Sequence, residues 1–531
     1  MRQRSIIRLL AMLAAAALVA TGCTGGDGDT EAEGDRTEQA DGGDNDLVVV
    51  GALEKPSGLD PAKIYEKLAS DVLFNTTNRL VEFPAGETEV GPGLAERWEI
   101  SDDGLTYTFT LREGVTFHDG SEFDSADVKF SLDRAMNIAH PDSASFLLDP
   151  IASVEAPDPQ TVVITLKEPN TTFLSRLNYT VASILPSDGD TYTAPTAKIE
   201  GNADESNTYI NDETIVGTGP YELTDYQPGQ SITLEAFDDY WGEDKAAIQT
   251  VKIQFFEDSA QLKNALAAGE VDLNINELAP AERSALENED GIAITEGKGA
   301  RIRYIVLDVN QKPFDDPKVR RAIAATVDRQ RVIDEVFEGA GTPLYSMIPT
   351  GFEWAYADEM SDIEEELTGP PVKFDLWYPL NKYGDTEPDL AETIARSLNE
   401  SEMFDVTTRS ADWASEYSSN LNTGTYAAYL LAWYPDYFDP DDYIEPFYSD
   451  EGFVGFYKSD KMNELIRAEQ TETDEDARAA IFAEIQELAA EDMPFIPLFE
   501  ETPFAYHADD LQGVEHLVDP VQQARFWMLT R

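Results

Sequence analysis

The sequence predicts an α/β fold. Short apolar runs alternate with helically spaced segments along the chain, and no internal repeat breaks the alternation. With 531 residues, 42% of them hydrophobic, the chain has material for about three domains of roughly 150 residues.

The elements follow in order. LVVVG at 47–51 is the first strand, Leu59-Asp60-Pro61 a turn, and 69–80 a helix. A hairpin turn at 101–104 leads into an alternating strand at 106–111, and His118-Asp119-Gly120 turns the chain again. Asp124 is the next N-cap, with Asp127 closing an acidic capping box and Phe123 and Val128 placed as a hydrophobic staple. Val128, Leu132 and Ala135 continue its inner face, so His118 and Asp119 read as turn residues rather than catalytic ones. Strands at 221–226 and 231–237 flank the turn Pro228-Gly229.

A helix pair spans 314–341. Asp316 caps the first helix with Pro317 at N1, and Val319, Ala322, Ile323 and Thr326 line one face. Asp328 caps the second, Val332, Ile333, Val336 and Phe337 face inward, and Gly339 ends it. Near the end, Ala477, Ala480, Ile481, Glu484, Ile485, Leu488 and Ala489 recur at helical spacing, Pro494 stops the helix, and 495–499 is a strand.

The stretch from Tyr426 to Tyr457 holds 12 of the chain's 54 aromatic residues. Tyr426 to Trp433 reads as a buried strand, and Tyr434 to Asp442, with two prolines and four acids, as loop. Ligands of open α/β sheets sit beyond the carboxyl ends of strands, which is where Trp433, Tyr434, Asp436 and Tyr437 fall. An acid among aromatic rings suits a cationic or ammonium-bearing ligand. A solvated acidic loop beside a core strand is the plainer reading of the same residues.

Lys and Arg number 38 against 103 Asp and Glu, a net charge of −65 that repels nucleic acid and anionic lipid headgroups. Such a surface points to salt- or alkali-adapted extracellular proteins. No Asp-rich loop has the glycine spacing of a calcium-binding EF-hand, and no cofactor is expected. Cys23 is the single cysteine, so no intrachain disulfide or cysteine-based metal site is expected.

Arg2, Arg4 and Arg8 precede an apolar run from Leu9 to Ala20, shorter than the ~20 residues that span a bilayer. The run ends in Ala20-Thr21-Gly22-Cys23, which resembles a bacterial lipobox. It implies a signal peptide over 1–22 and a lipidated Cys23. An ordinary cleaved signal with a free thiol is the alternative. The acidic, aromatic-free residues 23–46 read as a flexible tether.

SDDGLTYTFTLREGVTFHDGSEFDSADVKFSLDRA, VGTGPYELTDYQPG, FDDPKVRRAIAATVDR and AWYPDYFDP, in this order, resemble the family 5 extracellular solute-binding proteins. These are receptors of ABC importers for oligopeptides, dipeptides, nickel and some oligosaccharides. The resemblance implies a two-lobed periplasmic-binding-protein-like fold (type II, with an extra subdomain), the ligand lying in the interlobe cleft. It implies a discontinuous first lobe at 47–83, 206–305 and 503–531, an extra subdomain at 84–205, and a second lobe at 306–502. Lobe closure would hinge near 305 and 502. A Trp-x-x-Asp segment lies in the cleft of peptide-binding relatives and falls here on Trp433 and Asp436. Its aspartate takes the ligand's ammonium group, and Ala432 and Tyr434 become the backbone-pairing neighbours. Before binding, Asp436 is expected as an unpaired carboxylate in an open, wet cleft.

This sequence departs from the family pattern at Ala432, where relatives often have Gly, and at Asn75-Thr76-Thr77-Asn78. The expected partners are a peptide, or an oligosaccharide stacked on Trp413, Trp433, Tyr434 and Tyr437, together with ABC permease subunits and a membrane reached through the lipid. A monomer is expected. Nickel is not, because His118 and His140 sit in a turn and beside a proline, while His507 and His516 lie near the end. A secreted lipoprotein hydrolase is the third reading, but there is no Gly-x-Ser-x-Gly elbow, His-Glu-x-x-His or P-loop.

Overall fold

The computed structural model describes residues 46–531 apart from 190, 200–206, 422, 451, 454 and 522. The expected signal peptide, Cys23 and nearly all of the tether lie outside the described residues. No helix among those described is long and apolar enough to cross a membrane.

Mixed sheets carry the fold. A seven-stranded sheet runs in the order Ile292–Glu296, Phe504–Ala508, Leu273–Ile275, Leu47–Ala52, Thr250–Phe255, Ser231–Ala236, Tyr221–Gln227. Leu47–Ala52 pairs in parallel with Thr250–Phe255, whose other neighbour is the hairpin turned at Gly229, φ 72°. A six-stranded sheet runs Gly341–Pro343, Phe495–Glu501, Ile302–Leu307, Ala428–Trp433, Val372–Leu380, Phe404–Asp412. A four-stranded antiparallel sheet (Ala95–Ile100, Thr106–Leu111, Thr161–Leu166, Ile151–Asp158) packs on the helix Ser125–Ile138. Each of these three sheets has its own apolar core.

The local chemistry read from sequence sets most element starts. Asp124 accepts from Ala126 N while Asp127 accepts from Asp124 N, and Phe123 and Val128 are both buried. Asp316 and Asp328 cap Pro317–Thr326 and Arg329–Val336 with their side chains. His118 is buried in its turn. Its Nε2 lies 3.1 Å from Gly219 O and its Nδ1 accepts from Gly217 N, while burial holds its pKa down to about 4.

Three expectations change. The first helix is Lys67–Thr76 rather than 69–80. Thr76 and Thr77 turn their hydroxyls back to Val72 O and Leu73 O, and beyond them Arg79 O and Leu80 O accept from the segment 93–95. In the helix Glu475–Asp492 the buried stripe is Arg478, Phe482, Ile485, Gln486 and Ala489, only partly the expected one. Arg478 and Gln486 are inside because they are paired: Arg478 with Asp439 and Glu469, Gln486 with Ser346 and Ala355 O. The third concerns the boundary expected after 305, which falls inside Ile302–Leu307, where every residue pairs with Ala428–Trp433. The chain therefore passes between the two large sheets at 297–301, and again at 502–503.

Candidate functional site

The strand Ala428–Trp433 ends at the site and is fully paired on one side but only sparsely on the other. Toward Ile302–Leu307 it is matched from Trp433 to Ala428, but toward Val372–Leu380 the register is a single pair, Trp377 with Tyr429. Beyond Tyr429 the second edge meets tyrosine hydroxyls instead: Tyr417 donates to Leu430 O at 2.9 Å and Tyr383 to Ala432 O at 3.4 Å. An edge of this kind can accept an extended backbone, and the long Tyr383 bond is the weaker of the two to displace.

The loop that follows and the short 3-10 helix Pro440–Tyr443, capped by Asp439, carry four aspartates in two environments. Asp441 accepts from Tyr437 Oη at 2.7 Å and pairs with Arg176 at 3.0 Å, and Asp439 pairs with Arg478. Asp436 and Asp442 are buried, yet among the described residues neither forms an ion pair with Lys or Arg. Tyr65 donates to Asp436 Oδ2 at 2.9 Å; Trp433 Nε1 and Asp436 N donate to Asp442 Oδ2 at 3.1 and 2.9 Å. Asp442 Oδ1 has no hydrogen-bond partner among the described residues. Burial pushes Asp436 up to about 7, and burial plus the neighbouring Asp436 pushes Asp442 well above the carboxylate range. The two titrate as a pair.

Asp436 is therefore not the unpaired carboxylate in a wet cleft that the sequence suggested. It is 8% exposed, and its bond to Tyr65 joins the six-stranded sheet to the segment before Lys67–Thr76. Tyr65 in turn packs edge-on to Phe146 and Tyr179, ring centroids 5.8 and 6.1 Å away. The Tyr437 ring is buried in the core of the four-stranded sheet, with Arg176 over it at 4.7 Å, so it ties this segment to that core.

Trp433 packs its ring against Phe447 at 5.1 Å and Phe453 at 6.1 Å. Arg301 lies over the Tyr434 ring at 4.4 Å. Ala432 faces Arg303 across the ladder, and Tyr383 lies over Arg303 at 4.8 Å. The polar stretch at 75–78 serves packing. Asn75 bonds Asp71 O, Ala524 O and Phe526 N, Asn78 bonds Trp241 and Thr218, and a Cβ at Gly217 would come within 2.1 Å of Thr76 O.

Tyr65, Tyr383, Arg301 and Asp442 escaped the sequence reading as site residues. A Trp-x-x-Asp pattern says nothing of a tyrosine 371 positions away in the chain. The Arg-x-Arg alternation at 301 and 303, on a strand otherwise apolar in a chain poor in basic residues, was the available signal.

Three comparisons bear on this arrangement. Residues 89–454, more than half of the chain, match the family described as bacterial extracellular solute-binding proteins, family 5 Middle. The chain is 29% identical to heme-binding protein A of Haemophilus influenzae over 543 aligned positions, covering 94% of this chain and 95% of that one. It is 30% identical to di/tripeptide-binding protein 3 of Pseudomonas aeruginosa over 488 positions, covering 85% and 88%. The periplasmic binding protein DppA of Helicobacter pylori, solved with the peptide STSA, superposes with a TM-score of 0.77 at 27% identity, over 91% of this chain and 98% of that one. With sheets, strand edge and family match in agreement, the chain belongs to the family 5 bacterial extracellular solute-binding proteins.

Proposed function

We propose that this chain is the extracytoplasmic receptor of an ABC importer and binds peptides without altering them. In this reading Asp436 pairs with the ligand's ammonium group, while the free edge from Leu430 to Tyr434 pairs with its backbone. One observation carries it: two carboxylates buried side by side with no ion pair to Lys or Arg among the described residues, at the end of a strand whose second edge carries a single strand pair and two tyrosine hydroxyls. A buried charge lacking a partner is costly, and an ammonium group entering there would relieve that cost.

The di/tripeptide-binding relative and the peptide-bound Helicobacter structure support a peptide ligand. The oligosaccharide alternative has less support. Tyr437 is buried, Trp433 packs on phenylalanines, Tyr434 is covered by Arg301, and Lys382 sits over Trp413 at 5.0 Å, so few faces are left for sugar rings. The reading extends to a monomer, lipid-anchored through Cys23, that closes by motion at 297–301 and 502–503 and hands its ligand to a permease. Cys23→Ala would then release the protein from membranes.

Calorimetry with short peptides tests the assignment. Losing one partner of a buried pair costs about 3–5 kcal/mol, so Asp436→Asn should weaken binding by roughly two to three orders of magnitude. N-acetylated peptides should bind the wild type poorly for the same reason. Equal affinity for free and acetylated peptides, or conversion of the ligand to product, would refute it.

A further inference from the structure

We infer that Arg301 is the seat of an anionic group of the ligand, taking a carboxylate through the unpartnered edge of its buried guanidinium; this rests on the peptide reading above. Arg301 is 6% exposed and stands one residue before Ile302–Leu307. Its Nη1 is held 2.9 Å from Glu501 Oε2. Tyr434 and Tyr383 lie against the guanidinium at 4.4 and 5.4 Å. Its Nε and Nη2 have no partner among the described residues.

Those two nitrogens share one side of the guanidinium plane. Together they present the two parallel N–H groups that a carboxylate or phosphate accepts bidentately. Leaving such donors buried and unmade is unfavourable, and Glu501 already uses the other end of the fork.

Arg303, two residues on and on the same face of the strand, is the control within the structure. Its Nε bonds Glu501 and its Nη1 bonds Glu387, so that guanidinium is committed on both sides. Of two adjacent buried arginines, one is closed by carboxylates and one keeps its bidentate edge free. The register places Arg301 opposite Tyr434, two positions before Asp436, because Ile302 pairs with Trp433. A cationic seat and an anionic seat thus border the same strand end, which suits a short zwitterion over a neutral solute. Tyr383 connects the two parts, with its hydroxyl on Ala432 O and its ring over Arg301. A peptide backbone that displaces this hydroxyl bond also shifts a ring resting on the open guanidinium.

Calorimetry with Ala-Ala, Ala-Ala amide and Ala-Glu amide on wild type, Arg301→Lys and Arg301→Gln tests the assignment. On the wild type the amide should bind at least tenfold more weakly than the free dipeptide. That gap should close in Arg301→Gln and narrow in Arg301→Lys, which keeps the charge but loses the fork. Recovery with Ala-Glu amide would assign the seat to a side-chain carboxylate; no recovery would assign it to the terminal one. The seat is overturned if amide and free dipeptide bind the wild type equally, or if the gap persists undiminished in both variants. In those cases acetylated peptides still binding weakly would leave the peptide reading standing. Failure of every peptide to bind the wild type overturns both. The wild-type amide comparison stands even if Arg301→Gln does not fold.

Discussion

Asp439 and Asp441 differ from Asp436 and Asp442 in one respect, although all four lie within seven consecutive residues. The first two are held by guanidinium groups, Arg478 and Arg176, and a hydrogen bond with Glu469, then the charge of Arg176 and the Tyr437 hydroxyl, keep Asp441 below the ordinary aspartate range despite its burial. Among the described residues the second two are held by hydrogen bonds from Tyr65, Trp433 and one backbone N–H, and burial drives both pKa values up. The fold could have supplied a cation to all four. In the function proposed above, the missing charge is left for a ligand, and the ion-paired aspartates fix the segment that presents the other two.

The largest effect that would break this contrast is on stability. Arg176→Met should cost about 3–5 kcal/mol, because Asp441 is left buried without its nearest cation and Tyr437 loses a donor. Chemical denaturation at neutral pH measures it. A loss below about 1 kcal/mol, typical of an exposed pair, would mean that the two sets of aspartates do not differ in kind.

Binding supplies the next largest effect, through pH. In the free protein the Asp436–Asp442 pair takes up a proton as pH falls through about 7, and an ammonium ligand prefers the ionised pair. The ligand's α-amine carries its charge only below about 7.7–8.0. Affinity should therefore climb as pH rises toward about 7, level, and fall above about 8. Calorimetry in buffers of different ionisation enthalpy should detect proton release on binding near pH 6. Asp436→Asn should flatten the acid limb. A flat profile in the wild type would show that the pair is not what meets the ligand.

Asp442→Asn should do less. An asparagine oxygen can still accept from Trp433 Nε1 and Asp436 N, so the loop keeps its shape and only the second charge is lost. Affinity should fall about tenfold or less, roughly the 1.4 kcal/mol that separates decades. A loss as large as that of Asp436→Asn would make Asp442, not Asp436, the direct partner.

The sequence was legible where chemistry is local. Asp124, Asp316 and Asp328 are read as caps because the groups they satisfy lie within three residues, and the hairpin at Gly229 follows from the same nearness. Asp436 was singled out by its pattern and its place after a strand. Its state was not legible, since Tyr65 lies 371 positions away and burial is a property of the assembled fold. The inner face of Glu475–Asp492 was misread for a related reason. Apolar spacing cannot see that Arg478 finds Asp439 from 39 positions off, or that Gln486 finds Ser346 from 140. Arg301 was overlooked because its partners, Glu501 and Tyr383, become neighbours only through strand order.

The most discriminating effect is on the stability of the ligand-free protein, because its sign is opposite to that of Arg176→Met. In the fold, Asp436 holds its proton up to about 7, whereas in the unfolded chain an aspartate releases it near 3.9. A folded value above the unfolded one means that the folded state binds more protons between them, so stability is lost as pH rises across that window. Asparagine never ionises, and its side chain still offers an oxygen to Tyr65. Asp436→Asn should leave the ligand-free protein unchanged at pH 4, make it more stable as pH rises, and reach a constant advantage above about pH 7. Thermal melting of the two proteins from pH 4 to 8, without peptide, reads the difference directly. A variant less stable than the wild type at pH 8 would mean that Asp436 is satisfied in the empty protein, and with that the physical distinction between the two pairs of aspartates would be lost.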